Sequence, residues 1–155
     1  MTRILFVCLG NICRSPMAEC VLKDMVRRLG AEDDFFIDSA ATSDEEIGNP
    51  IYPPARAKLQ REGIPLTGHR ARQMQRADYA SFDLILGMEQ ANIRRILRIT
   101  GGDPEGKVRR LLDGTPRPRD IADPWYTGDF DVTYSDITEG CRSLLTALGY
   151  DVSGL

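Results

Sequence analysis

Histidine is nearly missing from this chain: His69 is the only one among 155 residues. Any chemistry that needs a proton donor must therefore look to carboxylates. Zinc is disfavoured for a related reason. Cys8 and Cys13 lack the close spacing of a zinc pair, and one histidine cannot complete the set. No metal or other cofactor is expected. Cysteine is sparse as well: Cys8, Cys13, Cys20 and Cys141 are too few for a disulfide framework at this length. That points to a reducing compartment, the cytoplasm. No apolar run approaches the roughly 18 residues that a membrane span needs. Arg3 and a short apolar run open the chain, but a Gly-Asn turn and charged residues follow, so no signal peptide is expected. Nor is there an excess of positive charge. With 20 basic and 23 acidic residues the net charge is -3, which argues against broad binding to nucleic acid or an anionic membrane. Attraction for an anion must then be local.

What is present is ordinary for a soluble globular chain, at 42% hydrophobic and 28% charged residues. The length suits a single domain over 1–155. There is no internal repeat and no low-complexity segment. Arg3–Val7 reads as a short buried parallel strand. Ser15–Leu29 reads as a helix with Ala18, Val21, Leu22, Met25 and Leu29 on one face, stopped by Gly30. Strands are expected at Phe35–Ser39, Asp83–Leu86 and Lys107–Leu112. Helices are expected at Pro54–Glu62, Glu89–Ile99 and Asp131–Leu148, with a weak helical signal after Arg72. Alternation of this kind predicts an α/β fold: a parallel sheet with helices on both faces, a three-layer αβα sandwich. In such sheets ligands bind beyond the carboxyl ends of the strands.

The first strand runs into Cys8-Leu9-Gly10-Asn11-Ile12-Cys13-Arg14-Ser15. Gly10 and Asn11 tolerate positive φ, so the loop can fold back on itself. Ser15 is placed to cap the following helix and Pro16 suits its first position. A loop of this shape aims backbone N–H groups at one point, at the positive end of a helix dipole. Cys8 stands at one lip and Arg14, with its planar fork of donors, at the other. A thiol there is held in an electropositive setting that favours the thiolate. The plainer alternative is a buried structural cysteine and a surface arginine flanking a strand–helix turn. A thiolate in a phosphate cradle suggests phosphoryl transfer to sulfur, with Arg14 holding two oxygens and the Ser15 hydroxyl donating to the thiolate. The acid that the leaving oxygen requires is best supplied by Asp123, on the loop after the fourth strand, which emerges on the same sheet edge. Asp before Pro is also a common turn. Trp125 and Tyr126 can wall an aromatic leaving group.

Taken together, Cys8–Ser15 near the start and Asp123-Pro124-Trp125-Tyr126 near the end resemble the low-molecular-weight protein tyrosine phosphatases. Asp38–Ser43, Gly48-Asn49-Pro50 and His69–Arg72 match family segments too. The resemblance implies a four-stranded parallel sheet of order 2-1-3-4, flavodoxin-like, with no metal and a phosphocysteine intermediate. It implies Cys8 as nucleophile, Arg14 as phosphate clamp and Asp123 as acid and then base. Leu9, Gly10, Asn11, Ile12, Cys13, Ser15, Glu45, Trp125 and Tyr126 fall at substrate-binding positions. Asn11, Ser39 and His69 match the network that supports the loop. Cys13 matches a second loop cysteine that can pair with Cys8 under oxidation and shield it. The implied substrate is a phosphotyrosine protein or a small aryl phosphate, and the protein is expected to act as a monomer.

Ile12 stands where the arginine-phosphatase branch typically carries Thr, and with Leu9 it suits an aromatic ring better. An arsenate reductase on this loop would need a distal pair of resolving cysteines, and none lies between Cys20 and Cys141. A non-catalytic phosphate binder would be expected to have lost Cys8, Arg14 or Asp123. One departure from the family stands out. Glu45 occupies a rim position that often carries an aromatic residue, between Asp44 and Glu46, and such an acidic rim should disfavour acidic phosphopeptides. Gly101–Val108 spells most of a nucleotide-binding loop, but Val108 replaces the magnesium-binding hydroxyl, a helix precedes it and a strand follows, so a plain connection is expected. Cys20 and Cys141 read as core. Arg94, Arg95, Arg98, Lys107, Arg109 and Arg110 read as a solvated face.

Overall fold

The computed structural model describes residues 1–155. Four parallel strands, β1 (Thr2–Cys8), β2 (Phe35–Ala41), β3 (Leu84–Gly87) and β4 (Val108–Arg110), form one sheet in the order β2-β1-β3-β4. The helices are α1 (Arg14–Arg28), α2 (Pro53–Arg61), α3 (Asp78–Ser81), α4 (Gln90–Thr100), α5 (Pro124–Thr127) and α6 (Phe130–Ala147). Successive strand residues point to opposite faces, and that alternation makes the two cores. Ile4, Phe6 and Cys8 pack with α1, α2 and α6 on one side; Leu5 and Val7 pack with Phe82, Ile85 and Ile96 on the other. Each fully buried side chain of this kind contributes about 1.5–3 kcal/mol.

The chain runs from β1 outward to β2, then crosses back to β3 on the other side of β1. That reversal opens a crevice at the carboxyl end of β1, where Cys8 pairs with Ala41 and Val7 with Gly87. The loop after β4 ends at the same edge. It is held by close packing: a Cβ on Gly140 of α6 would stand 2.5 Å from Leu111 Cγ, so only glycine lets the helix approach here.

The expected elements are all present, with shifted ends. β2 runs on through Ala40 and Ala41 because both pair with β1. β4 is shorter than expected. Asp113 accepts from Arg110 N (2.8 Å) and pulls Leu111–Gly114 into a 3-10 turn. The weak signal after Arg72 becomes α3, and α5 was not expected. Leu148, expected as the last residue of the final helix, lies just beyond the end of α6 and is 37% exposed.

Gly101–Val108 is indeed a helix-to-strand connection. Asp103 organises it, accepting from Tyr79 OH (2.7 Å), Lys107 N (2.8 Å) and Val108 N (3.1 Å). Burial would raise the Asp103 pKa, but these donors hold it below the ordinary carboxylate value. The basic face is only partly solvated. Arg94, Arg95, Arg98 and Arg109 are exposed, while Lys107 donates to Tyr79 O and Arg110 pairs with Asp113 and Asp120.

Candidate active site

Asn11 is the one non-glycine residue with positive φ, at 59°. Gly10 does not share that conformation, so the tight point of the loop falls on the residue that can also bond sideways. Strain of this type costs of order 1–3 kcal/mol and persists only where the surroundings impose it. Here Asn11 is fully buried and held from four directions. Its Nδ2 donates to Ser15 Oγ (2.8 Å) and Ser39 Oγ (2.9 Å), and its Oδ1 accepts from Arg72 N (3.1 Å). Its carbonyl lies 2.7 Å from His69 Nε2. A carbonyl only accepts, so Nε2 carries the hydrogen.

Beneath this sits Glu19, a buried carboxylate on α1. It accepts from Ser39 Oγ (2.6 Å) and Lys23 Nζ (2.7 Å), with His69 Nδ1 4.0 Å away. Ser15 is not a helix cap: α1 begins at Arg14, after Cys13, with no side-chain cap. Its hydroxyl has a better partner. Ser15 Oγ lies 3.0 Å from Cys8 Sγ and its N–H donates to the same sulfur at 3.4 Å. Asn11 already fills a lone pair of Oγ, which leaves the hydroxyl hydrogen for the sulfur.

The loop carbonyls are turned outward. Those of Cys8, Leu9, Ile12 and Cys13 accept from Thr42 N, Ser43 N, Tyr52 N and Met17 N at 2.8–3.0 Å. With Asn11 that makes five. In a trans peptide the N–H points opposite to the C=O, so each such anchor turns the next N–H inward. This is how a loop without charged residues before Arg14 becomes an anion cradle.

Arg14 closes it. The side chain is 1% exposed. Nη1 donates to Ile121 O (2.9 Å); Nη2 donates to Glu89 Oε1 (3.1 Å) and Asp123 Oδ2 (3.2 Å). Burial alone would lower its pKa, but Cys8, Asp123 and Glu89 outweigh that and hold it above the usual value. Asp123 serves two ends: Oδ1 caps α5 by accepting from Trp125 N (3.1 Å), while Oδ2 faces Arg14. Trp125 in turn stacks on Tyr52, ring centres 4.7 Å apart.

These parts enclose a cavity of about 150 Å³. Cys8, Leu9, Gly10, Ile12, Cys13 and Arg14 form its floor and sides, and Asp123, Trp125, Tyr126 and Glu45 its mouth. Asn11, Ser15, Ser39 and His69 do not line it; their side chains lie underneath. Burial, with the nearby Cys8 and Asp123, pushes the Cys13 thiol well up.

The model of the low molecular weight phosphotyrosine protein phosphatase family matches residues 3–153. The chain belongs to that family. Among its relatives, the Bacillus subtilis low molecular weight protein-tyrosine-phosphatase YfkJ is 39% identical over 150 residues, 96% of each chain. The human low molecular weight phosphotyrosine protein phosphatase is 40% identical over 147 residues, 92% of each. The crystal structure of YfkJ superposes with a TM-score of 0.92, covering 96% of this chain and 94% of that one. A Streptococcus pyogenes low molecular weight protein tyrosine phosphatase superposes at 0.87 with 36% identity, over 97% and 95%.

Three residues around this phosphatase site, Ser43, Glu89 and Glu19, were not singled out in the sequence. Ser43 lines the cavity, as does Glu46 of the acidic rim. Glu89 follows β3 at the sheet edge where ligands bind, and that position was the signal for it. Glu19 stood out less, as a lone charge between Ala18 and Cys20-Val21-Leu22 on a helix otherwise read by its apolar stripe.

Proposed function

We propose that this protein-tyrosine phosphatase hydrolyses phosphotyrosine and small aryl phosphates through a phosphocysteine on Cys8. One observation supports it most. Cys8, Arg14 and Asp123, distant in sequence, meet in one cavity, with Arg14 Nη2 3.2 Å from Asp123 Oδ2. A phosphate entering the cradle takes Arg14's fork. Cys8 Sγ attacks phosphorus, an S–P bond forms and the P–O bond to the phenol breaks. Asp123 passes its proton to that oxygen. Asp123 then takes a proton from water, the water oxygen attacks phosphorus, and sulfur leaves as thiolate, steadied by the Ser15 hydroxyl. Inorganic phosphate departs. Leu9, Ile12, Trp125 and Tyr126 surround the ring.

No helix is long and apolar enough to cross a membrane. We read the protein as acting as a monomer in the cytoplasm, whose reducing conditions suit four free buried thiols. In the presence of a chelator, the protein is expected to release phosphate from phosphotyrosine peptides. Asp123→Ala should lower kcat/KM for phenyl phosphate by about 10²–10⁴-fold, the usual worth of a general acid. A requirement for a divalent ion would refute the mechanism; an unchanged rate in Asp123→Ala would remove the acid assignment.

Glu45 and Glu46 at the mouth, with exposed Asp44 beside them, support selection against acidic sequences around the phosphotyrosine. Peptides with lysine neighbours should show higher kcat/KM than those with glutamate neighbours, and the gap should shrink as salt rises. Equal turnover at low salt would refute the selection.

A further inference from the structure

We propose that Tyr52 is a positioning residue for the acid loop, and this rests on the phosphatase reading above. Tyr52 occupies the N-cap of α2 and its side chain caps nothing; Pro53 and Pro54, the first two helical residues, bring no N–H groups to cap. The side chain is thus free of the helix it precedes. The ring instead stacks on Trp125 at 4.7 Å, tilted by 47°, and approaches Phe130 at the start of α6 at 6.2 Å. The Tyr52 N–H donates to Ile12 O in the phosphate cradle at 2.8 Å. One residue thus joins the cradle through its main chain to the acid loop through its ring.

The acid loop needs such a seat. Within Pro124–Thr127 only Pro124 is buried, and Trp125 is 52% exposed. Beyond the packing of Pro124 and a local bond from Asp129 N to Thr127 Oγ1 (3.1 Å), two ties reach from Asp123–Thr127 to the rest of the molecule. One is the pair between Asp123 and Arg14; the other is the stack of Trp125 on Tyr52. A bound phosphate competes for Arg14 and weakens the first. The stack then holds Asp123 over the leaving oxygen at the moment its proton is required. Tyr52 does not line the cavity, so it acts through Trp125 and not on the substrate.

The test compares two substrates whose leaving groups differ in their need for the acid. Phenolate must be protonated as it leaves; 2,4-dinitrophenolate need not be. In Tyr52→Ala, kcat/KM for phenyl phosphate should fall by about tenfold more than that for 2,4-dinitrophenyl phosphate, since a small displacement of a catalytic group has that scale of effect. Tyr52→Phe, which keeps the ring, should restore the wild-type ratio. Asp123→Asn should show the same selective loss, and adding Tyr52→Ala to it should deepen the selectivity no further. Trp125 is the only tryptophan in the chain, so its fluorescence anisotropy reads the stack directly. It should drop in Tyr52→Ala and Tyr52→Leu and hold in Tyr52→Phe. Tyr52→Leu keeps an apolar group on the core and serves if the alanine variant does not fold. An equal loss on both substrates, or an unchanged ratio, would overturn the proposal alone. No turnover of either substrate by the unaltered protein would overturn the phosphatase reading and this one with it.

Discussion

Cys8→Ser is expected to abolish turnover of aryl phosphates while leaving phosphate binding in place. The substitution changes one atom at the floor of the cavity. A serine hydroxyl is far less acidic than a thiol and has no base bonded to it: the chain's single histidine, His69, is bonded to the Asn11 carbonyl beneath the loop, Ser15 is a donor here, and Asp123 stands at the mouth, bonded to Arg14 and Trp125 N. Removal of a nucleophile that works as part of a unit costs the whole of its chemistry, so the fall in kcat should reach at least about 10⁴-fold. The cradle is built from peptide groups and Arg14, which the change does not touch. Inorganic phosphate or vanadate should therefore bind Cys8→Ser with an affinity within a few-fold of the wild type, as read by calorimetry. Activity that survives the change, or phosphorus trapped on any residue other than Cys8, would sink the mechanism.

Arg14→Lys is expected to lower kcat/KM by about 10³-fold or more, in line with the loss of an arginine that tracks charge on a transferring phosphoryl group. Lysine keeps the charge, so the outcome separates charge from shape. The guanidinium makes three directed contacts at once, to Ile121 O, Glu89 and Asp123. Its planar fork matches two equatorial oxygens of a phosphoryl group in flight; an ammonium is a point charge that satisfies one. The loss should therefore appear mainly in kcat, with a smaller rise in the inhibition constant for phosphate. Lysine is also the informative choice for another reason. Arg14→Ala would leave Glu89 and Asp123 facing each other with no cation between them, and breaking a buried pair costs about 3–5 kcal/mol. A loss of activity there could not be told from a loss of fold. A fall of less than tenfold in Arg14→Lys, with an unchanged melting temperature, would remove the shape argument.

The centre of the site was legible because its parts are contiguous or tied by one topological rule. Cys8, Arg14 and the turn between them lie in eight residues, and Asp123 follows from parallel strands ending on one edge. The support beneath was harder to see. Ser15 fits every local criterion for a helix cap, yet its hydroxyl turns to sulfur, because a tertiary partner outbids a local one. Gly10 looked as apt for positive φ as Asn11, but only Asn11 has a side chain that Ser15, Ser39 and Arg72 can hold. Tyr52 gave no signal at all. Its worth lies in Trp125, 73 positions on, and nothing local to either residue marks the pair.

The outward anchoring of the cradle's carbonyls divides labour within eight residues. Peptide hydrogens grip the oxyanion, so exchanging the side chains of Leu9 or Ile12 leaves that grip intact. Outside Cys8, Arg14 and Asp123, the hold on the oxyanion is written in the polymer's repeating unit and selectivity in its appendages. Descendants of such a chain are free to change their clientele without relearning how to cut.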